Sequence, residues 1–146
     1  MTIALNCEDI ARRITASIPD AVISADTQSI IVTDTSLYKV AEFLKKTQGL
    51  DFDYLNNLTA VDYIDHFDVV YHLTSLQHNH SIAIKARCQG RDNLSVPSVV
   101  NLWRSADYQE REVYDLMGIT FTGHPNLKRL FLWEGFKGYP LRRDYL

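Results

Sequence analysis

The sequence predicts a two-layer α+β domain, with helices packed on a mixed, mostly antiparallel sheet, followed by an irregular extended tail at the C-terminus. Three observations predict it. Two segments repeat apolar residues at helical spacing, Cys7-Ile10-Ala11-Ile14 and Leu37-Val40-Ala41-Leu44. Residues 54–90 read as strands, with apolar and polar residues alternating along two of them. From Gly123 onward, Gly123, Pro125, Gly135, Gly138 and Pro140 interrupt any long regular element. The chain has 146 residues, 46% apolar and 23% charged, which suits one domain with one core. Residues 1–122 form the predicted core and residues 123–146 the tail.

Taken in order, Asn6 is placed to cap the first helix and Pro19 follows its end. "DAVIS" and "QSIIVT" read as short strands joined by a turn. "TDTS" offers the next cap, and the second helix ends near Gly49. "YLNNLTAVDYID", "FDVVYHLTSLQ" and "SIAIKARCQG" follow as three strands of an antiparallel meander. Phe67, Val69, Tyr71 and Leu73 share one face of the second strand, and Ile82, Ile84, Ala86 and Cys88 one face of the third. "SVPSVVNLWRSADYQEREVYDLMG" reads as helical again, with Pro97 in a first turn, a break near Trp103 and Arg104, Ser105 capping the second segment and Gly118 ending it.

Charge is unevenly distributed. The net −3 divides into −6 over residues 1–80, 0 over 81–122 and +3 over 123–146. A basic end on an acidic body marks an interaction tail, whereas nucleic-acid binding asks for a basic face that this acidic chain lacks. Cys7 and Cys88 are too few for a four-thiolate iron–sulfur site and lack CxxC spacing. No apolar run reaches the ~18 residues of a membrane span, and the N-terminus does not read as a signal peptide.

On the last helix, Asp107, Arg111 and Asp115 fall four apart and predict one charged ridge. Glu110 shares a stripe with Ala106, Val113 and Met117, so it requires a cationic or hydrogen-bonding partner. Glu110 and Glu112 point some 200° apart and cannot flank one bond as an acid/base pair. His78 and His80 have the spacing of two metal ligands on a strand, but the bland reading is a polar hairpin turn. His124, just before Pro125, is placed to fix a bend by hydrogen bonds. The common phosphate-loop, dinucleotide, nucleophile-elbow and zincin motifs are missing.

The end of the chain carries a resemblance. "EREVYDLMGITFTGHPNLKRLFL", followed by "GYPLRRDY", resembles the signature of the 30 kDa subunit family of respiratory complex I, the proton-pumping NADH:quinone oxidoreductase. The pattern is met by Glu110, Arg111, Glu112, Asp115, Leu116, Met117, His124, Lys128 and Arg129, and then by Pro140, Leu141, Arg142, Arg143, Asp144 and Tyr145, with Arg for Lys at one place. It covers about fifty residues; the N-terminal part agrees only in its order of elements. The resemblance implies a non-catalytic subunit of the peripheral arm, on the cytoplasmic or matrix side. It implies no cofactor in this chain and packing against the quinone-site subunit and neighbouring iron–sulfur subunits. The residues it singles out for partner contact are Glu110, Arg111, Glu112, Asp115, His124, Arg129, Trp133, Arg142, Arg143 and Tyr145. The equivalent subunits of membrane-bound hydrogenases and of the ferredoxin-fed photosynthetic enzyme share this pattern. An independent metal or acid/base enzyme is the remote rival.

Overall fold

A computed structural model of the chain describes residues 2–129, 131–133 and 137–142. Among these, the strands are β1 Ile3–Ala4, β2 Val22–Ala25, β3 Ile30–Thr33, β4 Tyr54–Asp62, β5 His66–Ser75 and β6 His80–Gln89. The helices are α1 Cys7–Ser17, α2 Leu37–Lys46 and α3 Ala106–Met117. Two further strands, β7 Ser95–Pro97 and β8 Thr120–Thr122, pair with each other in parallel. The main sheet runs β2-β3-β6-β5-β4, with β1 also paired to β6. The predicted α+β class is observed: β4, β5 and β6 are antiparallel neighbours, while β1 and β3 run parallel to β6 and make the sheet mixed.

Local chemistry explains most elements. The Asn6 side chain accepts the Glu8 N–H at 2.9 Å and caps α1, whose Cys7, Ile10, Ala11 and Ile14 are buried. Leu37, Val40, Ala41 and Leu44 are buried on α2. The "TDTS" lead-in forms a 3-10 turn, Asp34–Ser36, in which Asp34 Oδ1 accepts the Thr35 N–H, rather than a side-chain cap. The inward faces of β5 and β6 are as the alternation predicts, with Phe67, Val69, Tyr71, Leu73, Ile82, Ile84, Ala86 and Cys88 all buried. Full burial of each large side chain contributes roughly 1.5–3 kcal/mol.

Leu55 and Leu58 of β4 are both buried although three residues apart, which no flat strand allows. The pairing explains it. Leu55 faces Leu73 and Asn57 faces His72, so Asn56 is an extra, bulged residue that resets the alternation. β4 lies at the sheet edge, and α3 covers that edge. Gln109 Oε1 accepts the Leu58 N–H at 2.6 Å, and Ser105 Oγ donates to Leu55 O at 3.3 Å.

The segment 97–104 corrects one sequence expectation. It does not open a helix. Pro97 closes β7 opposite Thr122, and turns follow up to Ser105. Ser105 makes no side-chain cap on α3, because its hydroxyl serves β4 instead. Tertiary partners overrule the local preference: Trp103 is buried and its indole N–H donates to Phe52 O at 3.0 Å, and Lys45 donates to Leu102 O. Gly118 does end α3, in the left-handed conformation at φ +77°.

Candidate functional site

The residues singled out in the sequence gather along α3 and the segment that follows it. Glu110 is fully buried, as its stripe predicts. Its hydrogen-bond partners are neutral donors rather than a cation: Ser98 Oγ donates at 2.6 Å and the Val99 N–H at 2.9 Å. The His124 ring stands farther off, at 4.0 Å. Burial raises the Glu110 carboxyl from the ordinary 4.5 to about 7, against the lowering effect of those two hydrogen bonds, and the nearby Asp107 raises it further. Glu110 thus ties α3 to the chain just after β7. Glu112 is exposed on the opposite side.

The predicted Asp107–Arg111–Asp115 ridge is divided among other partners. Asp107 meets the buried His124 ring, with its Oδ1 and its backbone carbonyl 3.1 and 3.2 Å from Nε2. His124 Nδ1 accepts the Asn126 N–H at 2.9 Å, so both ring nitrogens hold the bend, as its position before Pro125 suggests. Arg111 lies over the Tyr108 ring and reaches Lys128 O at 3.5 Å. Asp115, fully buried, takes the Phe131 and Leu132 N–H groups on Oδ2 at 2.6 and 3.0 Å, while Arg129 Nη1 reaches Oδ1 at 3.2 Å. Arg129 also donates to Asp115 O and Gly138 O. One buried carboxylate therefore holds Arg129, Phe131 and Leu132 together.

A second anchor follows. Arg142 Nε donates to Met117 O at 2.6 Å, at the negative end of α3, and its Nη1 donates to Arg91 O at 3.1 Å. Its guanidinium sits 5.1 Å from the Phe67 ring and 5.0 Å from Tyr139. Arg91 and Arg129 extend the series over Phe67 and Tyr139, each at 5.0 Å. The Tyr139 ring lies so close to Gly118 that a Cβ there would meet it at 2.7 Å. Phe131, Trp133 and Leu141 nevertheless stay 65%, 68% and 59% exposed. Arg143 and Tyr145, also singled out in the sequence, lie outside the described residues, as does Phe136.

Ser98, Arg91 and Gly118 as a contact point were not legible in the sequence, since each depends on a partner distant in the chain. His78 and His80 take structural partners instead: His78 Nε2 meets Asp51 at 2.7 Å and His80 Nε2 meets Leu50 O at 2.9 Å. Among the described residues, no group of three His, Cys, Asp or Glu is arranged to hold a metal, and no helix is long and apolar enough to cross a membrane. Burial pushes the Cys88 thiol up to about 12, which leaves it unreactive.

The fold is thus an α+β domain with a basic, aromatic segment rooted in its last helix. The comparisons identify the family. The sequence profile of the family described as respiratory-chain NADH dehydrogenase, 30 Kd subunit, matches residues 30–146, and the chain belongs to that family. It is 40% identical to the C subunit of the NADH-quinone oxidoreductase of Roseiflexus castenholzii over 97% of this chain and 84% of the relative. It is 44% identical to the C/D subunit of the NADH-quinone oxidoreductase of Phocaeicola vulgatus over 71% of this chain, a match that takes up 20% of that longer protein. A fragment (1–134) of Nqo5 superposes with a TM-score of 0.59 at 26% identity, covering 84% of this chain and all of the fragment. A chain of an archaeal membrane-bound sulfane sulfur reductase complex shares the fold, with a TM-score of 0.75 at 22% identity over 95% of this chain and 85% of that one.

Proposed function

We propose that this chain is a non-catalytic, cofactor-free assembly subunit of the peripheral arm of a proton-translocating NADH:quinone oxidoreductase, on the cytoplasmic side of the membrane. It docks against the quinone-site subunit and neighbouring iron–sulfur subunits and supports electron transfer from NADH to quinone without taking part in it. One observation carries the docking role: the segment after α3 is anchored on the buried Asp115 and on Gly118, yet turns Phe131 and Leu141 outward. A fixed segment with exposed aromatic and aliphatic side chains has already met much of the ordering cost that association otherwise incurs. Aromatic residues are the usual anchors at such interfaces. The Phocaeicola vulgatus relative, whose name joins C and D, supports the quinone-site subunit as the neighbour.

The test is Phe131→Ser combined with Leu141→Ser in the full chain. Both side chains are exposed, so thermal unfolding of the isolated protein should shift by less than about 1 kcal/mol. Co-purification with the quinone-site subunit and quinone reductase activity of the assembled membrane enzyme should both fall. Normal incorporation of the doubly substituted chain into a fully active complex would defeat the proposal.

A further inference from the structure

The turn joining β4 to β5 carries a strained and exposed residue. Ile64 has φ +76°, a region that β-branched residues avoid, and it is 51% exposed. The Asp65 N–H donates to Tyr63 O at 3.0 Å across it, closing a γ-turn of the strained, positive-φ kind. The surroundings determine this shape several times over. Asp62 Oδ1 accepts the Ile64 N–H at 2.8 Å, the Tyr63 N–H donates to His66 O at 2.9 Å, and Arg91 Nη1 donates to Ile64 O at 2.9 Å. Arg91 is itself held by both oxygens of the buried Asp62 carboxylate, at 2.6 and 2.8 Å. Beside Ile64, Tyr63 stacks on His66 and remains 41% exposed, and Asp65 is 83% exposed. A strained residue that an exposed turn keeps, where glycine or asparagine would relieve it, points to a use for the side chain.

Arg91 links this turn to the docking segment. It holds Ile64 with one guanidinium nitrogen, lies over Phe67, and offers its carbonyl to Arg142, which lies over the same ring. Through Arg91 and Arg142, Ile64 is thus tied to the segment that carries Leu141. We infer that the Tyr63–Ile64–Asp65 turn is a rigid apolar knob that inserts into the quinone-site subunit, at an apolar pocket with a basic rim facing Asp65. This inference rests on the docking role proposed above and adds a second, separate contact to it. A partner seated on the anchored segment meets this knob without any rearrangement of the domain.

The experiment uses Ile64→Gly and Ile64→Asn in the full chain. Both residues accept a positive φ, so both remove the knob while easing the turn. The unfolding midpoint of the isolated chain should hold or rise, and affinity for the purified quinone-site subunit should fall about tenfold, as for an interface anchor. Wild-type affinity in both variants overturns the inference, as does a lowered midpoint, which would make Ile64 a residue of this domain's own packing. Altered self-association of the isolated chain, read by sedimentation, also overturns it by making a second copy the occupant. The Phe131/Leu141 variant runs in the same titration. If that variant binds weakly while the Ile64 variants bind normally, the docking role stands and the knob fails. If all bind normally, both fail.

Discussion

The sheet and the α3 seam are stabilised by different chemistry. Between β5 and β6 the core is hydrocarbon, Phe67, Val69, Leu73, Ile82 and Ile84, supported by backbone ladders. Along α3 the buried contacts are ionic and polar: Glu110 with Ser98 and Val99, His124 with Asp107, Asp115 with Arg129 and two backbone amides. A hydrocarbon core tolerates imprecise contacts and responds to lost volume. A buried polar seam has nearly the opposite character. It stabilises little over an apolar equivalent, yet losing one member leaves the others uncompensated. Such a seam fixes where a segment lies, which is what the docking role proposed above requires.

Asp115→Ala should cause the largest loss, about 3–5 kcal/mol in urea unfolding, because it takes the carboxylate from Arg129 and from the Phe131 and Leu132 N–H groups together. Leu73→Ala in the sheet core, at about 2–5 kcal/mol, provides the comparison. If Asp115→Ala costs less than about 1 kcal/mol, below the usual cost of stranding a buried polar group, the segment is not anchored there and the contrast between the two regions collapses.

The pH dependence of stability tests Glu110. Its folded carboxyl titrates near 7 and its unfolded one near the ordinary 4.5, so between those values the folded state holds more protons. Stability should therefore decline as pH rises from about 4.5 to 7, by up to about 3 kcal/mol from this group. Glu110→Gln should remove that slope, while Glu112→Gln, at an exposed position, should leave it. Parallel profiles for wild type and Glu110→Gln, measured by thermal melts across this range, would show that Glu110 does not carry the slope.

The smallest effect is expected in the sheet. Tyr71 is 1% exposed, and its hydroxyl finds no hydrogen-bond partner among the described residues. Tyr71→Phe should thus leave stability unchanged or raise it by up to about 1 kcal/mol. A loss of about 2 kcal/mol or more, on the scale expected for a stranded polar group, would place a polar contact inside the hydrocarbon region.

What the sequence determined by itself was whatever depends on neighbours a few residues away. Cys7-Ile10-Ala11-Ile14 and Leu37-Val40-Ala41-Leu44 each mark one face of a helix, Phe67 to Leu73 marks one face of a strand, and Asn6 and Gly118 mark helix ends. Glu110 was legible too, because an acid on an apolar stripe requires a partner, but the identity of that partner was not. Tertiary structure decided the rest. Val96 pairs with Phe121, Arg142 reaches Arg91 across 51 residues, and Arg91 holds Ile64 across 27. The 97–104 segment has helical composition yet runs as turns, because Pro97 closes a parallel ladder, Trp103 reaches Phe52, and Glu110 binds the Val99 amide. Local propensities differ by only a few tenths of a kcal/mol per residue. A buried indole or carboxylate with its hydrogen bonds satisfied outweighs several of them, and its partners can be found only once the chain has folded.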